Sequence, residues 1–117
     1  MSDHETPSGW PDVMYLEAAR ATLSRVEATI DRWLDGDVID IDSARSGGML
    51  TLTLPDRSQL IINTQPPLHE LWLAARSGGY HFKYAGEQRW LDTRTGEDFF
   101  TVLSTCASEQ SGRPLSF

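Results

Sequence analysis

Apolar residues recur along the chain with two different periods, which predict two helices separated by a run of short strands. From about residue 12 to 34 they recur every three or four positions, which is the spacing of one helical face. This stripe consists of Leu16, Ala19, Leu23, Val26, Ile30 and Trp33. Asp12 suits an N-cap and Gly36 a C-terminal stop, so a first helix is predicted over about 12–34.

A period of two residues dominates the middle of the chain and predicts antiparallel strands. The segment DVIDID at 37–42 is predicted to be an edge strand with Asp40 and Asp42 on one face. A glycine pair at 47–48 then turns the chain into the strand MLTLTL. The apolar run at 60–62 predicts a buried strand, which ends because the following two prolines cannot donate a ladder hydrogen bond.

The next predicted strand starts near Leu68 and places two kinds of side chain on its two faces. His69, Leu71 and Leu73 share one face, and Glu70, Trp72 and Ala74 share the other. The glycine pair 78–79 is predicted to form a tight turn into a strand over 80–84, and residues 89–91 suffice for a short further strand. Trp72 is therefore predicted to lie on the same face as a carboxylate, substantially exposed.

A second helix is predicted over about 96–109, where Thr95 and Asp98 resemble a capping box and an apolar stripe follows. Leu115 and Phe117 are apolar enough to lie back against the core. Two amphipathic helices can cover one face of a sheet. The predicted fold is therefore α+β: a two-layer sandwich with both helices on one face of a five- to six-stranded antiparallel sheet, in the order α-β-β-β-β-β-(β)-α.

Length and composition predict one domain spanning residues 1–117, with residues 1–11 loosely ordered. Cys106 is the single cysteine, so no intramolecular disulfide can form, and it lies in the stripe of the second helix as a small buried residue. No apolar run approaches the roughly 20 residues of a membrane span. A cytoplasmic location is expected.

The net charge of −7 is concentrated in one part of the chain. From residue 43 to 117, seven basic residues balance seven acidic ones, whereas residues 27–42 contain six acids and only Arg32 as a base. We call these acids the acidic edge: Glu27, Asp31, Asp35, Asp37, Asp40 and Asp42. Such a field disfavours binding to nucleic acid or to anionic membranes.

Carboxylates are hard oxygen ligands that suit Fe(II), Mn(II), Ca(II) or Mg(II), so the acidic edge is the leading candidate for metal binding. Exposed carboxylates would hold a cation weakly and with much of its water. The alternative is a solvated helix edge and edge strand that keep the protein soluble and unaggregated. A calcium loop starting at Asp35 is rejected, because Asp40 and Ser46 occupy the positions that need Gly and Glu.

The middle of the chain resembles the bacterial branch of the frataxin family. The residues that carry the resemblance are Ile62, Asn63, Gln65, Pro67, His69, Trp72, Leu73, Ala74, Gly78, Gly79, His81, Phe82 and Trp90. Their spacing and types match from about Gly47 to Phe100. The resemblance implies the same two-layer sandwich, weak and reversible binding of Fe(II) or Fe(III) at the acidic edge, and no organic cofactor. Ala28, Arg32 and Ala44 stand where the family often has further acids.

The resemblance also implies a function in iron–sulfur cluster assembly. The expected partners are a cysteine desulfurase and the scaffold protein, which the chain would serve as regulator, as iron donor, or as both, and as a monomer when iron is absent. The residues expected to contact a partner are Trp72, Asn63, Gln65, Glu70 and His81. Two alternatives stay open: an iron-oxidising or iron-storing enzyme, and an interaction module whose metal binding is incidental.

Overall fold

Two helices enclose a run of six strands in the computed structural model, which describes residues 9–117. The elements are α1 (Asp12–Asp35), β1 (Asp42–Ser46), β2 (Met49–Thr53), β3 (Gln59–Gln65), β4 (Glu70–Ala75), β5 (Gly78–Tyr84), β6 (Trp90–Asp92) and α2 (Phe99–Ser111). Each strand pairs antiparallel with its neighbour in sequence, giving the sheet order β1-β2-β3-β4-β5-β6. Both helices pack against this open sheet, as the sequence predicted.

One face of the sheet shares a single apolar core with both helices. Leu50, Ile62 and Leu73 from the sheet, Val26 from α1 and Leu103 from α2 are each at most 1% exposed. Burial of these side chains is the main source of stability, at about 25 cal/mol per Å² of apolar surface removed from water. The opposite sheet face carries no helix among the described elements.

Helix α1 agrees with the predicted bounds, but its N-cap residue and the start of α2 differ from the prediction. Pro11, not Asp12, occupies the N-cap position of α1, and the Asp12 carboxylate instead lies 2.7 Å from Nε2 of the buried His69. Helix α2 begins at Phe99 rather than near residue 96, because the Asp98 side chain accepts hydrogen bonds from the backbone N–H groups of Phe100 and Thr101. Over residues 9–117, neither helix is long and apolar enough to cross a bilayer.

The first strand is the largest error of the sequence prediction. It covers Asp42–Ser46 rather than 37–42, because Ser46 pairs with Met49 across the two-residue turn at Gly47 and Gly48. Gly47 has the positive φ, 58°, that a tight hairpin turn requires. Residues 37–41 form an irregular connection instead.

The second glycine pair also behaves differently from the prediction. Ala75 pairs with Gly78, so the turn between β4 and β5 consists of Arg76 and Ser77, while Gly78 and Gly79 begin β5. Arg76 is held at this turn because Gln110 accepts a hydrogen bond from its backbone N–H at 2.9 Å.

The helical stripe of α1 is rotated slightly from the one expected. Tyr15 is completely buried, whereas Leu16 remains 38% exposed at the edge of the helix. The Tyr15 ring stacks on His69 with centroids 4.8 Å apart, and polar Thr22 is buried because its Oγ1 accepts a hydrogen bond from Nε1 of Trp90. A tyrosine thus occupies a core position that the apolar pattern assigned to leucine.

Both ends of the described chain pack against the sandwich. Trp10 lies against Tyr84, with ring centroids 5.5 Å apart, and the rest of the expected loose terminus, residues 1–8, lies outside the described residues. At the other end Leu115 is buried and Phe117 packs against Trp33 at 4.7 Å, as predicted.

The Tyr15 hydroxyl joins α1 to two strands, so its removal tests the core arrangement. It donates to the backbone oxygen of Glu70 at 2.7 Å and accepts from the backbone N–H of Gln65 at 3.0 Å. Burial raises the pKa of Tyr15 to about 12, which keeps the hydroxyl protonated as a donor. We expect Tyr15→Phe to lower the free energy of unfolding by about 1–3 kcal/mol in urea titrations, because buried polar groups lose their partner.

The control for this prediction is Tyr84→Phe. Tyr84 is 5% exposed, and its hydroxyl makes no hydrogen bond within residues 9–117. Equal destabilisation by the two substitutions would contradict the bridging role of Tyr15.

Candidate functional site: the Trp72 face and the acidic edge

The outer face of the sheet brings together the five residues that the sequence marked for partner contact. We call these residues the Trp72 face: Asn63, Gln65, Glu70, Trp72 and His81. Asn63 pairs with Trp72 across β3 and β4, and Trp72 pairs with His81 across β4 and β5. The pair Gln65 and Glu70 forms the adjacent row. The strand register therefore brings residues that are distant in sequence onto one continuous surface. Asn63 and His81, for example, are 18 positions apart.

Trp72 is fixed in one orientation by its neighbours on this surface. Its ring stacks on the exposed His81 with centroids 4.1 Å apart and an angle of 8° between the planes. Its Nε1 donates a hydrogen bond to Oε1 of Glu70 at 2.8 Å. Trp72 is consequently half-buried, and the expectation of substantial exposure is wrong because the imidazole covers one face of the indole.

Glu70 connects the indole to a cation at the end of the Trp72 face. It is only 8% exposed, and its Oε2 lies 3.7 Å from Nζ of Lys83 on β5. The carboxylate therefore holds Trp72 through one oxygen and the ammonium group through the other. The surface consequently presents an aromatic side chain, of the kind that is enriched at interface centres, next to amide and charged groups of the kind that form interface rims.

A shallow depression of about 260 Å³ lies beside Trp72. Met49 and Ile61 form its apolar side, and Ala74 and Gly79 leave its floor open because they carry little or no side chain. A β-carbon at Gly79 would meet no atom within 4 Å. This depression can accept one apolar side chain next to the fixed indole.

The acidic edge runs along the last turns of α1 and into the following connection. Glu27, Asp31 and Asp35 are spaced by four residues, so they share one side of the helix. Glu27 is already engaged, because its Oε1 accepts a hydrogen bond from Nη1 of Arg45 at 2.8 Å. Asp31 and Asp35 are exposed to solvent.

Of the other three acids, Asp37 and Asp40 lie in the connection between α1 and β1, and Asp42 is the first residue of β1. Asp37 follows the Gly36 cap with φ of 62°, and Asp40 and Asp42 point outward while Ile41 between them is 4% exposed. The connection is anchored from the far side, since Nη1 of Arg113 donates a hydrogen bond to the backbone oxygen of Val38. The carboxylates are thus displayed on a fixed backbone.

These carboxylates are neighbours without forming a cage. Within residues 9–117, no three Asp, Glu, His or Cys side chains converge so that they could hold one metal ion. His69 is buried against Tyr15 and Asp12, and Cys106 is buried in α2, where burial raises the pKa of its thiol. A cation at the acidic edge would therefore meet one or two carboxylates at a time and keep most of its water.

Three contributors to these surfaces were missed by reading the sequence. Lys83 could have been found, because it follows His81 by two positions and so shares its sheet face. Met49 reaches the Trp72 face only through the register of β2 against β3. Arg45 could not have been paired with Glu27, because that contact depends on where β1 lies.

The fold is that of a small acidic α+β protein, in which the Trp72 face and the acidic edge are the two candidate binding surfaces. Residues 8–113 match the frataxin-like domain family. The chain therefore belongs to the frataxin family.

Similar proteins extend over nearly the whole chain. The iron-sulfur cluster assembly protein CyaY of Polaromonas sp. strain JS666 is 51% identical over 106 residues, which cover 91% of this chain and 90% of that protein. The protein of the same name from Variovorax paradoxus is 52% identical over 106 residues, covering 91% and 96%.

Solved structures of frataxins have the same fold. Frataxin from Psychromonas ingrahamii superimposes with a TM-score of 0.73 at 31% identity, over 92% of this chain and 97% of that one. Trimeric frataxin from Saccharomyces cerevisiae, crystallised in complex with ferrous iron, gives a TM-score of 0.67 at 25% identity, over 82% and 87%.

Proposed function

We propose that this protein acts in iron–sulfur cluster assembly, where it binds iron weakly and docks on a cysteine desulfurase and the scaffold protein. The observation that carries the proposal is the identity of about half of all positions with proteins named for iron–sulfur cluster assembly. The protein serves there as a regulator of the desulfurase, as an iron donor, or as both. It acts as a monomer when iron is absent.

The acidic edge supplies the iron-binding part of this proposal. Its carboxylates are hard oxygen ligands, and mutual repulsion among them is relieved when a cation arrives. The absence of a three-ligand cluster within residues 9–117 supports weak and reversible binding, and the Arg45 contact reduces the part that Glu27 can take. Ala28, Arg32 and Ala44 further limit the number of bound ions. Iron is therefore cargo rather than a resident cofactor.

The acidic edge and the Trp72 face have different roles in partner recognition. The acidic edge attracts a basic docking surface over a distance, which accelerates association and selects the partner by charge. The Trp72 face then forms the close contact, because an oriented indole beside an apolar depression can bury much area in a partner. Asp42 of the acidic edge begins β1, which pairs with β2, and Met49 of β2 lines the depression beside Trp72.

A second candidate function is that of an interaction module with incidental metal binding. The scattered carboxylates favour it, since nothing in the described residues resembles a selective metal site. Acidic-edge substitutions that abolish metal binding distinguish the two functions. If the protein is an interaction module, its regulation of the desulfurase should persist in such variants. If it is an iron-dependent regulator, that regulation should change. An iron-oxidising enzyme is supported only if Fe(II) is consumed faster with the protein than with an equal concentration of free carboxylate.

Titration with Mn(II), observed by amide NMR, tests the cation site. Paramagnetic broadening is expected to centre on residues 31–42 and to weaken as salt rises, because salt screens the attraction between the carboxylates and the cation. The double variant Asp37→Asn/Asp40→Asn should reduce the broadening at least threefold at equal Mn(II). Asparagine tolerates the positive φ found at position 37, so the backbone should not change.

The matched control is Glu87→Gln/Glu109→Gln, which removes the same charge from exposed positions outside the acidic edge. It should leave broadening of residues 31–42 within about 30% of the parent. Broadening centred on Trp72, or equal losses in both double variants, would contradict a cation site at the acidic edge.

A further inference from the structure

A cleft of about 320 Å³ separates the first half of α1 from the β1–β2 turn. It lies on the opposite side of β2 from the depression at Trp72: Gly47 and Gly48 line the cleft, while the next residue, Met49, lines the depression. Neither the acidic edge nor the Trp72 face includes this cleft.

The walls of the cleft are mainly apolar. Leu16, Leu23 and Pro66 contribute side chains, and Leu16 is 38% exposed there although its place in the helical stripe predicted burial. Gly48 forms a wall of bare backbone, since a β-carbon on it would lie 2.0 Å from Oγ1 of Thr64. Water in such a cleft gains little from its walls, so an apolar side chain would displace it favourably.

Two arginines line the same cleft, and only one of them contacts an acidic side chain. Arg45 is engaged, since its Nη1 contacts Glu27 at 2.8 Å and Oγ of Ser24 at 3.2 Å. The exposed Arg20 guanidinium has no ion pair or hydrogen bond within residues 9–117. An unmatched cation beside apolar walls is complementary to a ligand that combines an acid with an apolar group.

The cleft continues toward the start of α1 and so becomes a groove. A second hollow of about 240 Å³ shares Leu16 and Pro66 with the first and is extended by Pro67 and Tyr15. Asp12 lies at its far end, where its Oδ1 is 2.7 Å from Nε2 of His69 and the side chain remains largely exposed. The groove is thus cationic at the Arg20 end and apolar along its length, and two linked hollows suit an extended chain better than a compact molecule.

We propose that this groove docks an extended acidic segment of a partner protein. An apolar side chain of the segment lies between Leu16 and Pro66, and a carboxylate next to it binds the guanidinium of Arg20. The segment bound in this groove must be negatively charged, whereas the acidic edge attracts positively charged surfaces. A partner bound here is therefore recognised by a different part of its surface from one bound at the acidic edge, and the contact needs neither iron nor Trp72.

The probe for this proposal is the peptide acetyl-Glu-Glu-Leu-Glu-Leu-Glu-amide, titrated into the full chain and followed by amide NMR. Shifts are expected at Arg20, Gly47, Gly48 and Thr64. The same peptide with glutamine in place of glutamate should bind at least fivefold more weakly, and so should the parent peptide to Arg20→Gln. Arg57→Gln removes the same charge from an exposed turn and should change the affinity less than twofold.

Three results would overturn the proposal. The first is the absence of shifts at these four amides with millimolar peptide, while the melting temperature of Arg20→Gln shows an intact fold. The second is equal binding of the glutamate and glutamine peptides. The third is tighter binding of octanoate than of the peptide at the same amides, which would make the groove a site for small apolar carboxylates.

Discussion

Replacing Trp72 by alanine is expected to weaken binding to the desulfurase–scaffold complex at least tenfold, which corresponds to about 1.4 kcal/mol. The reason is that the indole is oriented in advance by His81 and Glu70, so a partner need not order it on binding. The fold should survive, because Trp72 lies outside the buried core and its loss costs about 1 kcal/mol, or a few degrees in melting temperature. Biolayer interferometry with the immobilised complex gives the affinity.

Trp10→Ala is the control for this prediction. Trp10 is also half-buried and contacts another aromatic ring, that of Tyr84, but it lies away from the Trp72 face. Its variant should bind the complex within twofold of the parent affinity. Severe unfolding of Trp72→Ala with undiminished affinity would mean that the outer sheet face is a structural surface and not a docking one.

Neutralising the acidic edge is expected to produce the second large effect. The variant in which Asp31, Asp35, Asp37, Asp40 and Asp42 become asparagine should bind the desulfurase at least thirtyfold more weakly at low salt. The loss should shrink as salt rises, because screening removes the same attraction from the parent protein. Glu27 is kept in this variant, since its removal would leave Arg45 without its partner.

The same variant should melt at a higher temperature than the parent in low salt. Five like charges are removed from exposed positions, and no core contact is lost. A lower melting temperature would show that these carboxylates stabilise the fold, for instance by fixing the connection after α1. Unchanged desulfurase affinity across the salt series would instead remove the acidic edge from partner recognition.

Local periodicity was sufficient to predict the layers of the fold and the face on which Trp72 lies. Alternation in β4 separates Leu71 and Leu73, which are at most 1% exposed, from Glu70 and Trp72. Because side-chain direction in a strand depends only on position parity, this assignment needs no knowledge of neighbouring strands.

Features that depend on how strands pair with each other could not be predicted from the periodicity of a single strand. Two glycine pairs look equivalent in sequence, yet Gly47 and Gly48 form a turn while Gly78 and Gly79 begin a strand. The difference lies in the register of the flanking strands, which long-range packing decides. The position of β1, the Arg45 contact to Glu27 and the cleft beside Arg20 all depend on that register.

Partial burial of Trp72 illustrates the same limit. Periodicity predicts the sheet face on which Trp72 lies but not the residue that pairs with it. His81 pairs with Trp72 and covers the indole because the β4–β5 turn consists of Arg76 and Ser77, and not of the glycine pair 78–79. A shift of one residue in that turn would move His81 to the other face of the sheet. The arrangement of the Trp72 face is therefore determined by a turn that contributes none of its residues.

The most direct test of the central proposal is cluster formation on the scaffold, followed by absorbance with the desulfurase, cysteine and Fe(II) present and the protein added at increasing concentration. We predict that the rate of cluster formation changes with a saturable dependence on this protein. Trp72→Ala should shift the half-effect concentration at least tenfold, while Trp10→Ala should not. An unchanged rate at saturating protein, or identical curves for the parent and Trp72→Ala, would contradict a docking function in iron–sulfur cluster assembly.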